Sequence, residues 1–257
     1  MNAEANSVAN PVAGCDLSFI VPAHNEEALL AGTLESVKAA ADSSGRSYEI
    51  LVVDDASTDG TAEIARAHAC RLVQVNLRQI AAVRNAGARQ AAGQILVFVD
   101  ADTILPPKTL AAAIDAIRSG AAGGGAKLAF HGRTPSWVHI ILPFINFACR
   151  RARLAPGCFL FARKDAFEAI GGFDERYFAA EEWVLSQALK SQGRFVMLRE
   201  PSITSARRGN PRDLFRTFGL LVRLLIRGKV ALQRREGLEI WYGPSARPPV
   251  ATHVVKE

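Results

Sequence analysis

The chain of 257 residues can form one large domain or two small ones, and 49% hydrophobic with 22% charged residues is ordinary globular usage, ample for a core. A formal net charge of +6 and a pI near 9.4 suit an anionic partner such as a nucleotide, a nucleic acid or an acidic lipid surface. Four cysteines (Cys15, Cys70, Cys149 and Cys158) form no CxxC pair and no zinc spacing, which argues against a structural zinc module and suits reduced, packed thiols in a cytosolic protein.

Residues 1–14 are small and polar and read as a disordered tail; with neither a basic start nor an apolar run, they are not expected to be a signal peptide. Leu17 to Val21 is an apolar run closed by Pro22, the pattern of a buried strand. "NEEALLAGTLESVKAA" follows, with Leu29, Leu30, Leu34 and Val37 at helical spacing and acids in the first turn. Ile50 to Val53 is a second strand ending in Asp54 and Asp55, and "STDGTAEIARAHA" a turn and helix. Arg71 to Val75 is a third strand, "IAAVRNAGARQAA" an alanine-rich helix, and Ile95 to Val99 a fourth strand running into Asp100 and Asp102. "PPKTLAAAIDAIRSG" has the prolines at its start and the glycine at its end that a helix favours.

Four strand–helix alternations predict an α/β fold, a mostly parallel sheet with helices on both faces. Near-continuous apolar strands fit burial on both sides. Ligands of such sheets bind at the carboxyl ends of the strands, where this chain gathers Pro22-Ala23-His24-Asn25, Asp54-Asp55 and Asp100-Ala101-Asp102. The second half is less regular. "GGGAKLAF" reads as a strand, "SWVHIILPFINFACRRARLAP" as an apolar segment broken by Pro143, and "GCFLFARKDAFEAIGGFDERYFAAEEWVLSQALKSQG" as strand, short helix, loop and a helix opening at Glu181-Glu182. The most apolar stretches, Trp137–Cys149 and Leu220–Ile226, are too short or too charged to span a bilayer.

An acidic pair at a strand end can be a solvated turn or a cap. Three strand ends converging on one edge, two of them acidic, point to a cation, because clustered carboxylates repel and hard divalent cations prefer oxygen ligands. In an extended chain the spacing of Asp100 and Asp102 puts both side chains on one side, with Ala101 pointing away.

"FIVPAHNEE", "ILVVDDASTDGT", "ILVFVDADT" and "GGFDERYFAAEEW" occur in the order and approximate spacing of the family 2 glycosyltransferases, which have the GT-A fold, and the resemblance covers about residues 17–200. It implies a nucleotide-sugar half, about 15–105, and an acceptor half, about 106–202. It further implies that Pro22 and Ala23, with Asn25 and Glu26 beside them, lie along the nucleoside, that Asp55 faces the base and that Asp54 supports that loop. Gln79 and Arg84 would approach the base and diphosphate. Asp100 would face ribose and metal, Asp102 the metal itself (Mg2+ or Mn2+), and the small Ala101 would leave room for the nucleotide. "AAEEW" resembles the acidic motif whose second acid is the general base, here Glu182; Glu181, Trp183 and Gly157 would line the acceptor side. Glu181 and Glu182 equally suit a helix N-terminus.

The resemblance implies an inverting enzyme moving one sugar from a nucleoside diphosphate sugar, a UDP-sugar first, to an acceptor hydroxyl that is saccharide or lipid-linked. The QxxRW motif of processive synthases is absent, and no histidine follows the general-base helix; the last, His253, is in the polar tail. Arg207 and Arg208 could clamp a diphosphate or sit in a solvated basic loop. Residues 203–257 read as a basic helical extension: from Ile203 to Arg235 there are nine basic residues and one acid. Arg212, Arg216, Arg223, Arg227 and Arg234 fall on one helical stripe, either a solvated face or a surface that meets anionic lipid. The expected location is cytoplasmic, peripheral on the inner face of the cell membrane where that stripe meets lipid. Nucleic acid is not expected, as the tail lacks interleaved aromatics.

Three rival readings stand beside this one. "FVDADT" fits the DxDxT nucleophile of HAD-type phosphatases, with Asp100 attacking, although several βα units precede it. An NAD-binding Rossmann protein would use Asp54 on the ribose, but the first strand leads into "PAHNEE", not GxGxxG. The third is a non-catalytic domain that binds a nucleotide or a membrane surface.

Overall fold

The computed structural model describes residues 15–132 and 134–206. Strands β1 (Leu17–Ala23), β2 (Tyr48–Asp55), β3 (Arg71–Val75) and β4 (Ile95–Val99) alternate with helices α1 (Leu30–Ser44), α2 (Thr61–Ala67) and α3 (Ile80–Gln90), as the sequence pattern predicts. β5 (Thr103–Ile104), α4 (Pro107–Arg118), β6 (Ala121–His131), α5 (Ser136–Ala152), β7 (Phe159–Arg163), α6 (Lys164–Ala169), α7 (Glu181–Leu189) and β8 (Arg194–Ser205) complete the described chain.

The sheet has eight strands in the order β3-β2-β1-β4-β7-β6-β8-β5. β1, β2, β3 and β4 run parallel to their neighbours among themselves, and β8 runs parallel to β6. β7 is antiparallel to both β4 and β6, and β5 to β8. The sheet is therefore mixed, with its parallel half first in sequence.

Alternating strand residues feed two cores, one on each face. Leu17, Phe19, Val21, Val52, Val97 and Val99 pack with Leu34 and Val37 of α1 and Leu110 and Ile114 of α4. Ile20, Leu51, Val53, Leu96 and Phe98 pack with Val83 and Ala86 of α3, Phe167 of α6 and Leu185 of α7. The period of two in a strand makes this division unavoidable once helices cover both faces. Alanines bring α3 close to the sheet, and Gly87 brings it closest: a Cβ there would lie 2.6 Å from Ile20 Cγ2.

Three elements differ from expectation. α5 continues through Pro143 from Ser136 to Ala152. Proline removes one helical hydrogen bond without ending the helix, and the exposed face leaves the ring room. β5 is two residues long, below what periodicity can register. β8 reaches Ser205, so residues 203–205 close a strand and do not begin a helical extension; β5 pairs with it at Thr103↔Thr204 and Ile104↔Ile203. The tail 1–14, the rest of the basic stretch with its arginine stripe, Arg207, Arg208 and His253 lie outside the described residues.

Candidate active site

The strand order reverses at β1, which has β2 on one side and β4 on the other. Pairing with β4 ends at Ile20↔Phe98, while pairing with β2 continues to Ala23↔Asp54. The strands thus part at their carboxyl ends, where open α/β sheets bind ligands. Pro22 and Ala23 sit in the part of β1 beyond the β4 ladder, so the missing N–H of Pro22 costs nothing on that side.

The loops at this edge are bound to one another. Asp54 Oδ1 accepts the Ser57 amide at 3.1 Å. Asp55 Oδ1 accepts the amides of Leu77 at 2.7 Å and Arg78 at 3.1 Å, which holds the loop entering α3. Asn25, at a positive φ of 53°, donates its amide to Ser57 Oγ and accepts the Thr58 amide on its side chain. The Glu26 amide donates to Thr61 Oγ1. Asn25 and Glu26 therefore splice the β1 and β2 loops. His24 Nδ1 donates to the Asp55 carbonyl at 2.8 Å, which leaves Nε2 to accept from Arg78 Nη1 at 2.5 Å. Neither His24 nor Arg78 had been given a role by spacing; their contact spans 54 residues of chain.

Asp100 and Asp102 follow β4 directly. The Ala101 carbonyl between them accepts Thr33 Oγ1 of α1 at 2.8 Å, and Ala101 itself is buried. Asp102 accepts the Thr204 hydroxyl on Oδ1 at 3.1 Å and the Ser205 amide on its carbonyl at 3.0 Å. β8 therefore holds Asp102 in place. Beneath them the Cys158 thiol is pushed up to about 12 by burial first and then by Asp100 and Asp102, so it stays a packed thiol. All four cysteines are free, as expected.

Arg84 is buried, its side chain only 3% exposed. Nη2 donates to Asp100 Oδ1 at 2.8 Å and to the Gly157 carbonyl at 3.3 Å, and Nη1 donates to Glu181 Oε1 at 2.8 Å. The guanidinium lies 5.3 Å from the centre of the Phe173 ring. Burial works to lower its pKa, yet Asp100, Glu181 and Glu182 hold it above the ordinary guanidinium value. One buried cation thus ties β4, the turn before β7 and the start of α7 together.

Glu181 is buried against Arg84. Glu182 is half-buried. Its pKa is raised well above 4.5, by desolvation first and then by the like charge of Glu181, with Arg84 opposing. Ala180 ahead of them takes the left-handed conformation at φ 58°, a strained entry to α7 of the kind found at functional sites. Gly157, at φ 94°, lies against Glu182: a Cβ there would be 3.2 Å from Oε1. Trp183 is half-buried beside them.

Gln79 donates to the carbonyls of Glu175 and Tyr177. Asn85, one residue beyond Arg84, donates to the Phe173 carbonyl and to Glu175 Oε1, and accepts the Phe173 amide. These α3 side chains fix the "GGFDERY" loop in front of α7; asparagine one turn into an amphipathic helix gave no signal of this in the sequence.

Among the described residues no group of three or more His, Cys, Asp or Glu side chains could hold a metal ion. Asp100 and Asp102 nonetheless fit a hard cation that takes its remaining ligands from a substrate diphosphate. Both donors are carboxylate oxygens, and the Asp100 side chain is 34% exposed with only Oδ1 engaged by Arg84.

The family model described as "Glycosyl transferase family 2" matches residues 18–170, more than half of the chain. The chain belongs to glycosyl transferase family 2. Undecaprenyl-phosphate 4-deoxy-4-formamido-L-arabinose transferase of Pseudomonas paraeruginosa is 32% identical over 173 residues, 62% of this chain and 50% of that protein. The chain therefore spans half the length of this curated relative. Among solved structures, the mannosyltransferase PcManGT from Pyrobaculum calidifontis in complex with GDP-Man and Mn2+ superposes with a TM-score of 0.60 at 21% identity, over 82% of this chain and 61% of that one. Staphylococcus aureus TarS in complex with UDP-GlcNAc gives 0.57 at 20%, over 90% and 73%. At such identities these two speak for the fold, which is GT-A. The phosphatase and NAD-binding readings of the acidic strand ends give way to this family.

Proposed function

We propose that the chain is an inverting glycosyltransferase that moves one sugar from a nucleoside diphosphate sugar, a UDP-sugar first, to a hydroxyl of a lipid-linked acceptor at the inner face of the membrane. The observation that carries this reading is the Arg84 bridge: one guanidinium contacts both Asp100 and Glu181, the neighbour of Glu182. The relative named for undecaprenyl phosphate supports a lipid-linked acceptor, and the two nucleotide-sugar complexes support the donor class.

The acceptor hydroxyl gives its proton to the Glu182 carboxylate as its oxygen bonds to the anomeric carbon. The bond from that carbon to the diphosphate oxygen breaks, and the nucleoside diphosphate leaves with the electron pair. A carboxylate with a raised pKa is a better proton acceptor near neutral pH than an ordinary one. Asp102 and Asp100 would hold a Mg2+ or Mn2+, which supplies Lewis-acid neutralisation of the leaving diphosphate. Single displacement needs no nucleophilic side chain. Asp54 and Asp55 hold the loops against which the nucleoside lies.

The test is a thermal-shift panel of UDP, GDP and dTDP with and without Mn2+. The expected result is a metal-dependent rise for one base, UDP first, on the order of 2.7 kcal/mol at a hundredfold excess over Kd. No shift with any nucleotide at large excess would overturn the reading. A non-catalytic nucleotide-binding domain is separated from it by Glu182→Gln, which is expected to keep the shift and lose turnover.

A further inference from the structure

Three non-glycine residues at the carboxyl edge of the sheet take the left-handed conformation: Asn25 at φ 53° after β1, Ala56 at φ 54° after β2 and Arg78 at φ 51° between β3 and α3. Residues with a Cβ enter that region at a cost and stay there only where the surroundings hold them, and such positions gather at functional sites. The contacts that hold these loops together meet at one side chain, His24.

The His24 ring is met from three loops. Nδ1 lies 2.8 Å from the Asp55 carbonyl. Arg78 Nη1 lies 2.5 Å from Nε2 and 2.9 Å from Nδ1, against the ring. Asn25 Nδ2 lies 3.3 Å from Nε2. The orientation of the Asn25 amide is fixed, because its Oδ1 accepts the Thr58 amide at 2.8 Å. Nε2 therefore faces two donors, while Nδ1 faces a carbonyl that accepts a proton from it. The neutral ring with its hydrogen on Nδ1 satisfies both atoms. A second proton, on Nε2, would point at a guanidinium and an amide NH2 and would bring two like charges into contact.

The other charged groups of these loops are Glu26 and Glu27 beside His24, Asp54 and Asp55 on β2, and Asp59 beyond it. Asp54 Oδ1 accepts the Ser57 amide, Asp55 Oδ1 the Leu77 and Arg78 amides, Glu27 Oε2 the Gly60 amide, and Asp59 the Glu27 and Thr61 amides. These carboxylates thus hold the backbones of the same loops, and the ring holds the Arg78 side chain above them.

We propose that His24 is the positioning residue of the nucleoside loops and holds them only as the neutral imidazole, so that acidification below neutral pH loosens the loops and weakens nucleotide binding. The inference rests on the glycosyltransferase reading for the word nucleotide, and adds to it a residue and a protonation state. His24, Asn25 and Arg78 are all half-buried, so a solvent proton reaches the ring. Imidazole is the side chain that changes charge between pH 5 and 8.

The test compares the full chain with His24→Gln and His24→Leu at pH 7.5 and pH 5.5. Glutamine keeps an oxygen that can accept from Arg78 and Asn25 and does not titrate; leucine has no acceptor. Hydrogen exchange, corrected for the intrinsic rate at each pH, reads protection of the Leu77 and Arg78 amides without ligand. Calorimetry reads Kd for UDP with Mn2+, or for whichever nucleoside diphosphate the panel selects. One coupled proton changes an equilibrium by up to about tenfold per pH unit. Protection is expected to fall, and Kd to rise, at least about fivefold more in wild type than in His24→Gln on going to pH 5.5. The diphosphate, the metal and the carboxylates titrate in both proteins, so the comparison cancels them. His24→Leu is expected to bind at least about fivefold more weakly at pH 7.5, with glutamine restoring part of the loss. Equal pH slopes in wild type and His24→Gln, or wild-type Kd in a folded His24→Leu, would overturn the proposal; if His24→Leu does not fold, the glutamine comparison decides alone. Acid-sensitive protection without nucleotide binding sinks the transferase reading and leaves the proton-dependent loops. Nucleotide binding with equal slopes does the reverse.

Discussion

Replacing Arg84 by methionine removes the cation between Asp100 and Glu181 while keeping most of the side-chain volume. Glu181 is 6% exposed at its side chain and would be left as a buried carboxylate without its partner. Removing one partner of a buried pair costs about 3–5 kcal/mol. The second partner, Asp100, is 34% exposed and recovers water, so the lower end applies, about 3 kcal/mol. For a chain of this size that corresponds to a fall in Tm of about 6–12 °C. The measurement is urea unfolding of wild type, Arg84→Met, Glu181→Gln and the double variant. The double variant is expected to recover at least about 1 kcal/mol relative to the sum of the singles, because the charge left behind is gone. A loss below about 1 kcal/mol in Arg84→Met, or strict additivity in the cycle, would refute the idea that this bridge holds the two halves of the site. Arg84→Lys tests geometry: a point charge cannot serve Asp100 and Glu181 with two separate nitrogens, so turnover should fall with a smaller loss of stability.

Glu182→Gln should lower kcat by about 10^2–10^4-fold in a sugar-transfer assay. Its effect on stability has a definite sign. The folded pKa of Glu182 lies above 4.5, so the folded chain holds that proton more tightly than the unfolded chain. The contribution is full below the unfolded value and is lost as pH rises through the folded value, so Glu182→Gln should raise Tm at pH 8 more than at pH 5. An equal effect at both would contradict the raised pKa. Asp102→Asn keeps the acceptor oxygen that Thr204 uses, and is expected to cost under about 1 kcal/mol while abolishing the metal-dependent nucleotide shift. Gly157→Ala forces a side chain to φ 94° and against Glu182 Oε1, and should cost about 1–2 kcal/mol and reduce kcat. Unchanged stability and rate in that variant would place Glu182 elsewhere.

The sequence by itself determined the parallel half of the sheet and the family. Apolar runs ending in Asp54, Asp55, Asp100 and Asp102 sit where period and turn chemistry are local, and four motifs in order fixed the GT-A fold and the acidic edge. What escaped the sequence depends on contacts between distant segments. β5 and β8 exist because each supplies the other's ladder, and neither has a period of its own to read. Pro143 announced a break that helix α5 did not take, because an exposed helix tolerates one missing hydrogen bond. Tertiary structure made Arg84 the buried tie between Asp100 and Glu181, partners 16 and 97 residues away. Gln79 and Asn85 likewise turned toward the loop before α7. Motif spacing places a residue at a strand end or on a helix, but only the packing of the two halves decides what its side chain meets, since the low-dielectric interior makes the nearest opposite charge the strongest claim on a cation.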